Sequence, residues 1–264
     1  MSEATDRLSD RIGRYLAKRL QREPSGGEPY THSNFTGVVL ALQPGDVLLV
    51  EGATTTATAI KYLTQSTWSH SAFYVGDTLG LTDPSGEALR LIEVNLGEGC
   101  VAVPLSKYRR FNIRICRASG LTREDRDAVV SFMIGRLGTR YDMRNIFDLL
   151  RYFFPTPPVP IQWRRRMIGF GSGDPTRAIC SSLIAQAFQS IRYPILPVIT
   201  QEFRDDPLAR NQRREILQIR HHSLFAPRDF DLSPYFNVVK PTLVGGFDYR
   251  ELLWSDPPSE DRVT

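Results

Sequence analysis

Five short apolar runs follow one another between residues 47 and 117, and their close spacing limits the folds open to this chain. The runs lie at residues 47–50, 70–75, 89–94, 101–103 and 112–117. Turn residues such as Asp83-Pro84-Ser85-Gly86 separate them, which is typical of strands joined by tight connections. None of the intervening segments offers a helix long enough for the crossover that parallel strands need. The pattern therefore predicts an antiparallel meander.

Four segments have the apolar spacing of amphipathic helices. They lie at residues 54–64, from Thr122 to about Leu137, at 145–154 and at 180–191. In the second, Thr122 is the expected N-cap, with Asp125 three residues later, and Gly138 is the expected stop. Together with the strands, these helices predict an α+β domain over residues 36–248, with an antiparallel sheet or small barrel packed against helices.

The two ends of the chain lie outside this predicted domain. Residues 1–35 are typical of an amphipathic helix over 5–22, with arginines and lysines on its polar faces, followed by a linker. Such a helix either lies on an anionic membrane surface or docks on its own domain, and docking is the commoner arrangement. Residues 249–264 have the composition of a flexible tail.

The net charge and the cysteine content indicate which partners and which cellular compartment to expect. The net charge of +4 suits an anionic partner without requiring one. Three arginines at residues 164–166 come without a nucleic-acid-binding motif, so we expect no nucleic-acid partner. The three cysteines form no CxxC pair, which favours reduced thiols, and no segment has the apolar length of a membrane span or of a secretory signal. We expect a cytoplasmic protein, peripheral to the membrane if the N-terminal helix binds it.

Three residues have the chemistry and placement of a cysteine nucleophile with its base and acid. Cys180 opens a predicted helix, where free N–H groups and the helix dipole favour a thiolate, although a small buried apolar thiol is the alternative. His70 opens a predicted strand and would serve as the base. Glu93 would orient His70 if their strands are neighbours, and a solvent-facing edge position is the alternative. Cys100 and Cys116 lie in strand patterns and are expected to be structural.

Residues 155–177 form a long segment of prolines, aromatic residues and arginines just before Cys180. Trp163 and Phe170 in this segment, with Trp68 beside His70, are the candidate substrate-binding residues. The segment is either a lid or membrane contact over an apolar substrate, or a surface loop whose aromatic residues fill the edge of the core. Long loops in compact domains often have a function, so both interpretations stay open.

A set of ordered motifs resembles the permuted branch of the NlpC/P60 superfamily, the YiiX/YaeF-like papain-fold cysteine hydrolases. The motifs are Gly45-Asp46-Val47-Leu48-Leu49, Ser69-His70-Ser71 with Tyr74-Val75-Gly76 after it, Ile92-Glu93, Pro104-Leu105, Gly138-Thr139-Arg140-Tyr141-Asp142, Cys180-Ser181-Ser182-Leu183-Ile184, and residues 227–234. They cover about residues 40–240 of the chain, and their order is more specific than any one of them.

The resemblance implies a circularly permuted papain-like fold in which the histidine strand precedes the cysteine helix. It implies Cys180 as the nucleophile, His70 as the base and Glu93 as the orienting acid, with Tyr141 near the site to assist the oxyanion. The family cleaves amide bonds in cell-wall peptides or acts on lipid-like and acyl substrates. The insertion at residues 155–177 and the basic N-terminal helix depart from the family pattern, which argues against a peptidoglycan substrate.

We therefore expect a cysteine-dependent hydrolase of the amidase or peptidase kind, or an acyltransferase, acting through a thioester on an amide or ester substrate. The substrate is expected to be a small molecule, a peptide or a lipid-like compound. We expect no cofactor and no metal, since the loop pair His221-His222 lacks further ligands. The alternative is a non-enzymatic module on the same fold that binds a membrane or partner through the N-terminal helix and the region around Trp163.

Overall fold

The computed structural model describes residues 35–95, 98–139, 179–202, 214–218, 220–222, 225–241, 248 and 250. Its helices are α1 (Phe35–Ala41), α2 (Thr55–Thr64), α3 (Arg123–Ile134), α4 (Ile179–Ser190) and α5 (Pro227–Leu232), with 3₁₀ helices at Gly76–Leu79 and Leu105–Tyr108. Its strands are β1 (Val47–Glu51), β2 (His70–Tyr74), β3 (Leu89–Asn95), β4 (Gly99–Pro104), β5 (Asn112–Ala118), β6 (Val198–Glu202), β7 (Arg214–Gln218) and β8 (Phe236–Val239).

Six of the strands form one open antiparallel sheet in the order β4-β3-β2-β1-β5-β8. The predicted meander accounts for β1 to β4, and the antiparallel α+β class is confirmed. β5 does not continue the meander beside β4, because the chain returns after β4 and β5 pairs with β1 on the side opposite β2. β6 and β7 form a separate antiparallel hairpin.

The two faces of the sheet are each covered by an apolar layer. On one face, Phe73 and Ile92 pack with Met133 of α3 and Phe188 of α4. On the other face, residues in and just after α1, in the Leu105–Tyr108 3₁₀ helix and in the sheet form the layer: Val38, Ala41, Leu42, Leu48, Val50, Ala72, Tyr74, Leu91, Leu105, Tyr108 and Ile115. Each buried Leu or Phe contributes about 1.5–3 kcal/mol to folding, so both layers hold the sheet in place.

For α3, the sequence pattern predicted the start of the helix correctly and its end only approximately. Thr122 caps α3, and its hydroxyl accepts the Asp125 N–H at 3.1 Å, as predicted. The helix ends at Ile134 rather than near Leu137, and Gly138 (φ +78°) lies in the turn that follows. A left-handed φ at Gly138 is one that other residues adopt only with strain.

The turn-like composition of residues 226–234 predicts loop and turn, and this prediction is wrong. Residues 227–232 form α5, because Pro227 supplies a helical φ at the first turn and Asp229 accepts the Ala226 N–H at 2.9 Å. Phe230 on this helix is fully buried and fixes it to the core. β8 follows at once and adds a sixth strand that the sequence pattern did not predict.

Several sequence predictions concern residues outside the described part of the chain. They are the N-terminal helix and linker at 1–34, the helix at 145–154, the insertion at 155–177 and the tail from 251 onward. Among the described helices, none combines the length and the apolar character needed to span a bilayer.

Candidate active site

Cys180 is the second residue of α4, and its thiol points toward the start of β2. The side chain of the next residue, Ser181, lies 3.1 Å from the Ser71 hydroxyl of β2, with both residues fully buried. This contact fixes the first turn of α4 against the strand that begins with His70. The backbone N–H groups of such a first turn have no partner within the helix, so they favour an anion beside it.

His70 and Glu93 lie on neighbouring strands of the sheet and on the same face. β2 pairs with β3 through Phe73 and Ile92, and counting on from that pair places Ala72 opposite Glu93. His70 is therefore a diagonal neighbour of Glu93, within reach of a long side chain. The His70 Nε2 lies 3.1 Å from the Glu93 Oε2. The neighbouring strands on which the orienting role depended are thus present in the structure.

The His70 imidazole and the Cys180 thiol are close enough to shift each other's pKa. Burial alone would lower the pKa of His70, but the Cys180 thiolate and the Glu93 carboxylate outweigh it and raise that pKa to about 10. Burial would raise the pKa of Cys180, but the charge and hydrogen bond of His70 lower it to about 7. The pair therefore favours a thiolate beside an imidazolium at neutral pH.

Glu93 is a completely buried carboxylate that accepts four hydrogen bonds. Its Oε2 accepts from His70 and from the Tyr108 hydroxyl. Its Oε1 accepts from the Lys107 ammonium and from the Asn95 amide, the latter at 2.8 Å. Two donors on each oxygen compensate the loss of hydration that burial of a carboxylate entails.

Electrostatics keep Glu93 ionised and Tyr108 protonated. Burial alone would raise the pKa of Glu93, but His70 and Lys107 hold it well below its usual range. Burial and the charge of Glu93 raise the pKa of Tyr108 well above its usual value. An ionised carboxylate only accepts, so His70 must donate its Nε2–H to Glu93. The other ring nitrogen, Nδ1, is then the one left to face Cys180.

Ser71 is a further polar neighbour of the thiol. Ser71 lowers the pKa of the Cys180 thiol and so favours the thiolate. The Ser181 hydroxyl lies 3.9 Å from the Cys180 sulfur and 3.1 Å from the Ser71 hydroxyl. Two serine hydroxyls in contact with each other therefore lie near the sulfur.

Four polar residues near the site, Lys107, Tyr108, Asn95 and Ser71, were not predicted from the sequence. Ser71 stood in the quoted histidine motif, and Asn95 is two residues after Glu93, the spacing that puts two strand residues on one face. Lys107 and Tyr108 follow the quoted Pro104-Leu105, but nothing in their spacing shows that this segment turns back toward Glu93.

Trp68, a predicted substrate-binding residue, is only 5% exposed. Its indole N–H donates to Asp231 at 3.0 Å, and the Arg114 guanidinium stacks 4.9 Å from its ring centroid. Arg114 also holds both Asp231 oxygens, at 2.6 and 2.7 Å. The contacts among Trp68, Arg114 and Asp231 hold α5 against β5 and against the residues that precede His70. A substrate contact by Trp68 stays a prediction.

The other predicted site residues, Tyr141, Trp163 and Phe170, lie outside the described residues. Thr139, two positions before Tyr141, is described: its carbonyl accepts the Cys100 N–H at 3.0 Å. Cys100 in turn pairs with Val94 of β3, next to Glu93. At Thr139, the chain therefore lies beside the β3–β4 pair, and β3 carries Glu93.

The remaining cysteines do not have the surroundings of a nucleophile. Burial raises the pKa of Cys100 to about 11 and that of Cys116 to about 12. Within the described ranges, no three His, Cys, Asp or Glu side chains are placed to hold a metal ion, His221 and His222 included.

No protein-family model matches this chain, and no curated protein matches it. Among solved structures, the chain is similar to the metalloprotein YiiX from Escherichia coli O157:H7, with 15% sequence identity and a TM-score of 0.43. The similarity covers 76% of this chain and 97% of YiiX. A likeness of this degree assigns neither a family nor an activity to this chain.

Proposed function

We propose that this protein is a cysteine-dependent hydrolase or acyltransferase that acts on an amide or ester through a thioester intermediate. The observation that carries the proposal is that the buried Cys180 thiol and the His70 imidazole shift each other's pKa, while the His70 Nε2 lies 3.1 Å from the Glu93 carboxylate. Nucleophile, base and orienting acid in this arrangement are what covalent catalysis by a thiol requires.

The acylation step uses the thiolate that His70 stabilises. The Cys180 sulfur attacks the substrate carbonyl carbon, the C–S bond forms, and the carbonyl electron pair moves to oxygen. Backbone N–H groups in the first turn of α4 are suited to stabilise that oxyanion. When the tetrahedral intermediate collapses, the His70 imidazolium gives its proton to the departing amine or alcohol, and a thioester remains on Cys180.

The deacylation step reverses these roles. His70, now neutral, takes a proton from water, an alcohol or an amine, whose oxygen or nitrogen attacks the thioester carbonyl. The C–S bond breaks, the acyl group leaves on the acceptor, and the thiolate–imidazolium pair returns. Glu93 keeps the imidazole oriented in both steps and stabilises its charged form.

We further propose that the domain is a circularly permuted papain-like domain of the NlpC/P60 kind. The order of the elements supports this: the histidine strand β2 comes before the cysteine helix α4, and the first turn of α4 packs against β2. A lipid-like substrate would suit the aromatic residues Trp163 and Phe170 before the helix.

A direct test is capture of the acyl-enzyme with p-nitrophenyl acetate at pH 8. We expect one acetyl group on Cys180, found by peptide mass spectrometry and removed by hydroxylamine. Cys180→Ala should abolish the adduct while changing the free energy of unfolding by about 1–2 kcal/mol or less, since a small buried group is removed.

Cys116→Ala is the matched control, because Cys116 is another buried thiol in the described structure. It should keep the adduct. An adduct spread over all three cysteines, or none at Cys180, would contradict the proposal and favour the binding-module alternative.

A further inference from the structure

We propose that Lys107 and Tyr108 are positioning residues that hold the Glu93 carboxylate in the orientation and charge state that His70 requires. The inference rests on the proposed function and adds two residues to its machinery. Both lie on the Leu105–Tyr108 3₁₀ helix, and each donates to a different Glu93 oxygen.

Tyr108 holds in place the Glu93 oxygen that accepts from His70. Its hydroxyl donates to the Glu93 Oε2, the same atom that accepts from the His70 Nε2 at 3.1 Å. Its ring is 3% exposed and lies with its centroid 6.2 Å from that of His70. Rotation of the carboxylate away from His70 would leave this buried phenol without its acceptor, which is costly.

Lys107 fixes the other oxygen and balances its charge. Its ammonium donates to the Glu93 Oε1, while its side chain is 39% exposed. Thiolate, imidazolium, carboxylate and ammonium then alternate in sign along Cys180, His70, Glu93 and Lys107. With Lys107 present, the carboxylate stabilises the imidazolium without making the site as a whole negative toward the thiolate.

A second set of hydrogen bonds, made by Ser106, holds the Leu105–Tyr108 3₁₀ helix in place. The Ser106 hydroxyl and backbone N–H both bind the carboxylate of Glu87, which precedes β3. The same β3 carries Glu93. The 3₁₀ helix that carries Lys107 and Tyr108 is therefore bonded to the segment that leads into β3, the strand of Glu93. The position of the two donors relative to Glu93 does not depend on flexible side chains alone.

The other titratable groups around Glu93 do not supply a competing positive charge. Cys100 on β4 has its pKa raised by burial to about 11 and stays neutral near pH 7. Glu98 is linked to the site through Asn95, whose amide N–H donates to it at 2.9 Å. Among the described neighbours of Glu93, Lys107 and the imidazolium of His70 are the cations.

The test is the pH dependence of Cys180 alkylation by iodoacetamide in the full chain, from pH 5 to 9, read by peptide mass spectrometry. In the parent we expect a midpoint near 7. Lys107→Met should move the midpoint upward by roughly half a pH unit or more, since a positive charge is lost near the thiolate. Lys107→Arg, which keeps the charge, should restore the parent midpoint.

Tyr108→Phe should lower the plateau rate of p-nitrophenyl acetate turnover by about tenfold, the effect of losing one hydrogen bond to a charged group. Its iodoacetamide midpoint should stay within a few tenths of a pH unit of the parent, since no charge is removed. The phenyl ring keeps the packing, so the variant is expected to fold.

Two matched controls separate this role from general destabilisation. Arg90→Met removes a cation of similar exposure from an ion pair with Asp77, and Tyr193→Phe removes a phenol that donates to the Ser119 and Tyr235 carbonyls. Both should behave as the parent in both assays.

Parent-like midpoints for Lys107→Met together with parent-like turnover for Tyr108→Phe would overturn this inference. A parent midpoint near 8.5, the value of an ordinary thiol, would instead show that Cys180 has no ion pair and would overturn the proposed function itself.

Discussion

At the scale of single residues, the state of the site is decided by burial and by the pairing of charges. Glu93 shows this best, because its carboxylate is fully buried and yet satisfied by four donors. An unpaired buried carboxylate would take up a proton and lose its effect on the imidazole. The position of each donor is therefore part of the chemistry of His70.

Replacement of Glu93 by glutamine should lower the pKa of His70. Glu93 raises that pKa through its charge and its hydrogen bond, so its removal lets the imidazolium lose its proton at lower pH than about 10. NMR titration of the His70 ring proton would measure the shift, with Glu51→Gln as a control that leaves the His70 contacts in place. An unchanged or higher His70 pKa in Glu93→Gln would show that Glu93 does not stabilise the charged ring.

At the scale of elements, the site depends on how closely the β1–α2 connection approaches the start of β2. Gly52 follows β1, and its N–H donates to the Ser69 hydroxyl at 2.9 Å. A Cβ at Gly52 would lie 2.9 Å from the Ala57 Cβ and 3.0 Å from the Ser69 hydroxyl. Since Ser69 directly precedes His70, crowding here displaces the base.

Gly52→Ala should therefore destabilise the fold by about 1–3 kcal/mol, as overpacking does. It should also slow alkylation of Cys180 in the folded protein. Urea unfolding and iodoacetamide labelling measure the two effects. Gly135→Ala is the matched control, because the nearest atom to its Cβ lies at 3.4 Å in the turn after α3. Equal stability of the two variants would contradict the packing argument.

At the scale of the whole molecule, a buried ion pair joins the first and fifth strands of the sheet. Asp46, just before β1, is 1% exposed and accepts from Arg117 of β5 at 2.8 and 2.7 Å. It also accepts the Gln43 N–H at 2.8 Å. Arg117 binds the Ala41 carbonyl as well, at 2.6 Å, so the pair connects α1, β1 and β5.

Asp46→Ala should lower the free energy of unfolding by about 3 kcal/mol or more, because it leaves the Arg117 guanidinium partly buried without its carboxylate. Chemical denaturation measures this loss. Asp77→Ala breaks the exposed ion pair with Arg90 and should cost about 1 kcal/mol or less. Similar losses of unfolding free energy in the two variants would show that the buried Asp46–Arg117 pair stabilises the fold no more than the exposed Asp77–Arg90 pair does.

The sequence predicted the sheet well because its strands are short, apolar and close together. His70 and Glu93 lie on adjacent strands of that meander, so their meeting followed from local pattern. Tyr108 was not recognised, because its contact depends on a 3₁₀ turn that folds back across the sheet. α5 and β8 were missed because Pro227, Asp229 and Pro234 give the segment a turn-like composition, and only the burial of Phe230 and Phe236 decides otherwise.

The distribution of the site along the chain has a consequence for its assembly during synthesis. The acid and its four donors, among them the base, come from residues 70–108, whereas the nucleophile comes from residue 180. Synthesis runs from the N-terminus, so the first five strands of the sheet can pair before the cysteine has left the ribosome. The thiol of Cys180 then becomes reactive only on docking of α4 against Ser71. Its alkylation rate in nascent chains of increasing length would therefore record the moment at which the domain closes.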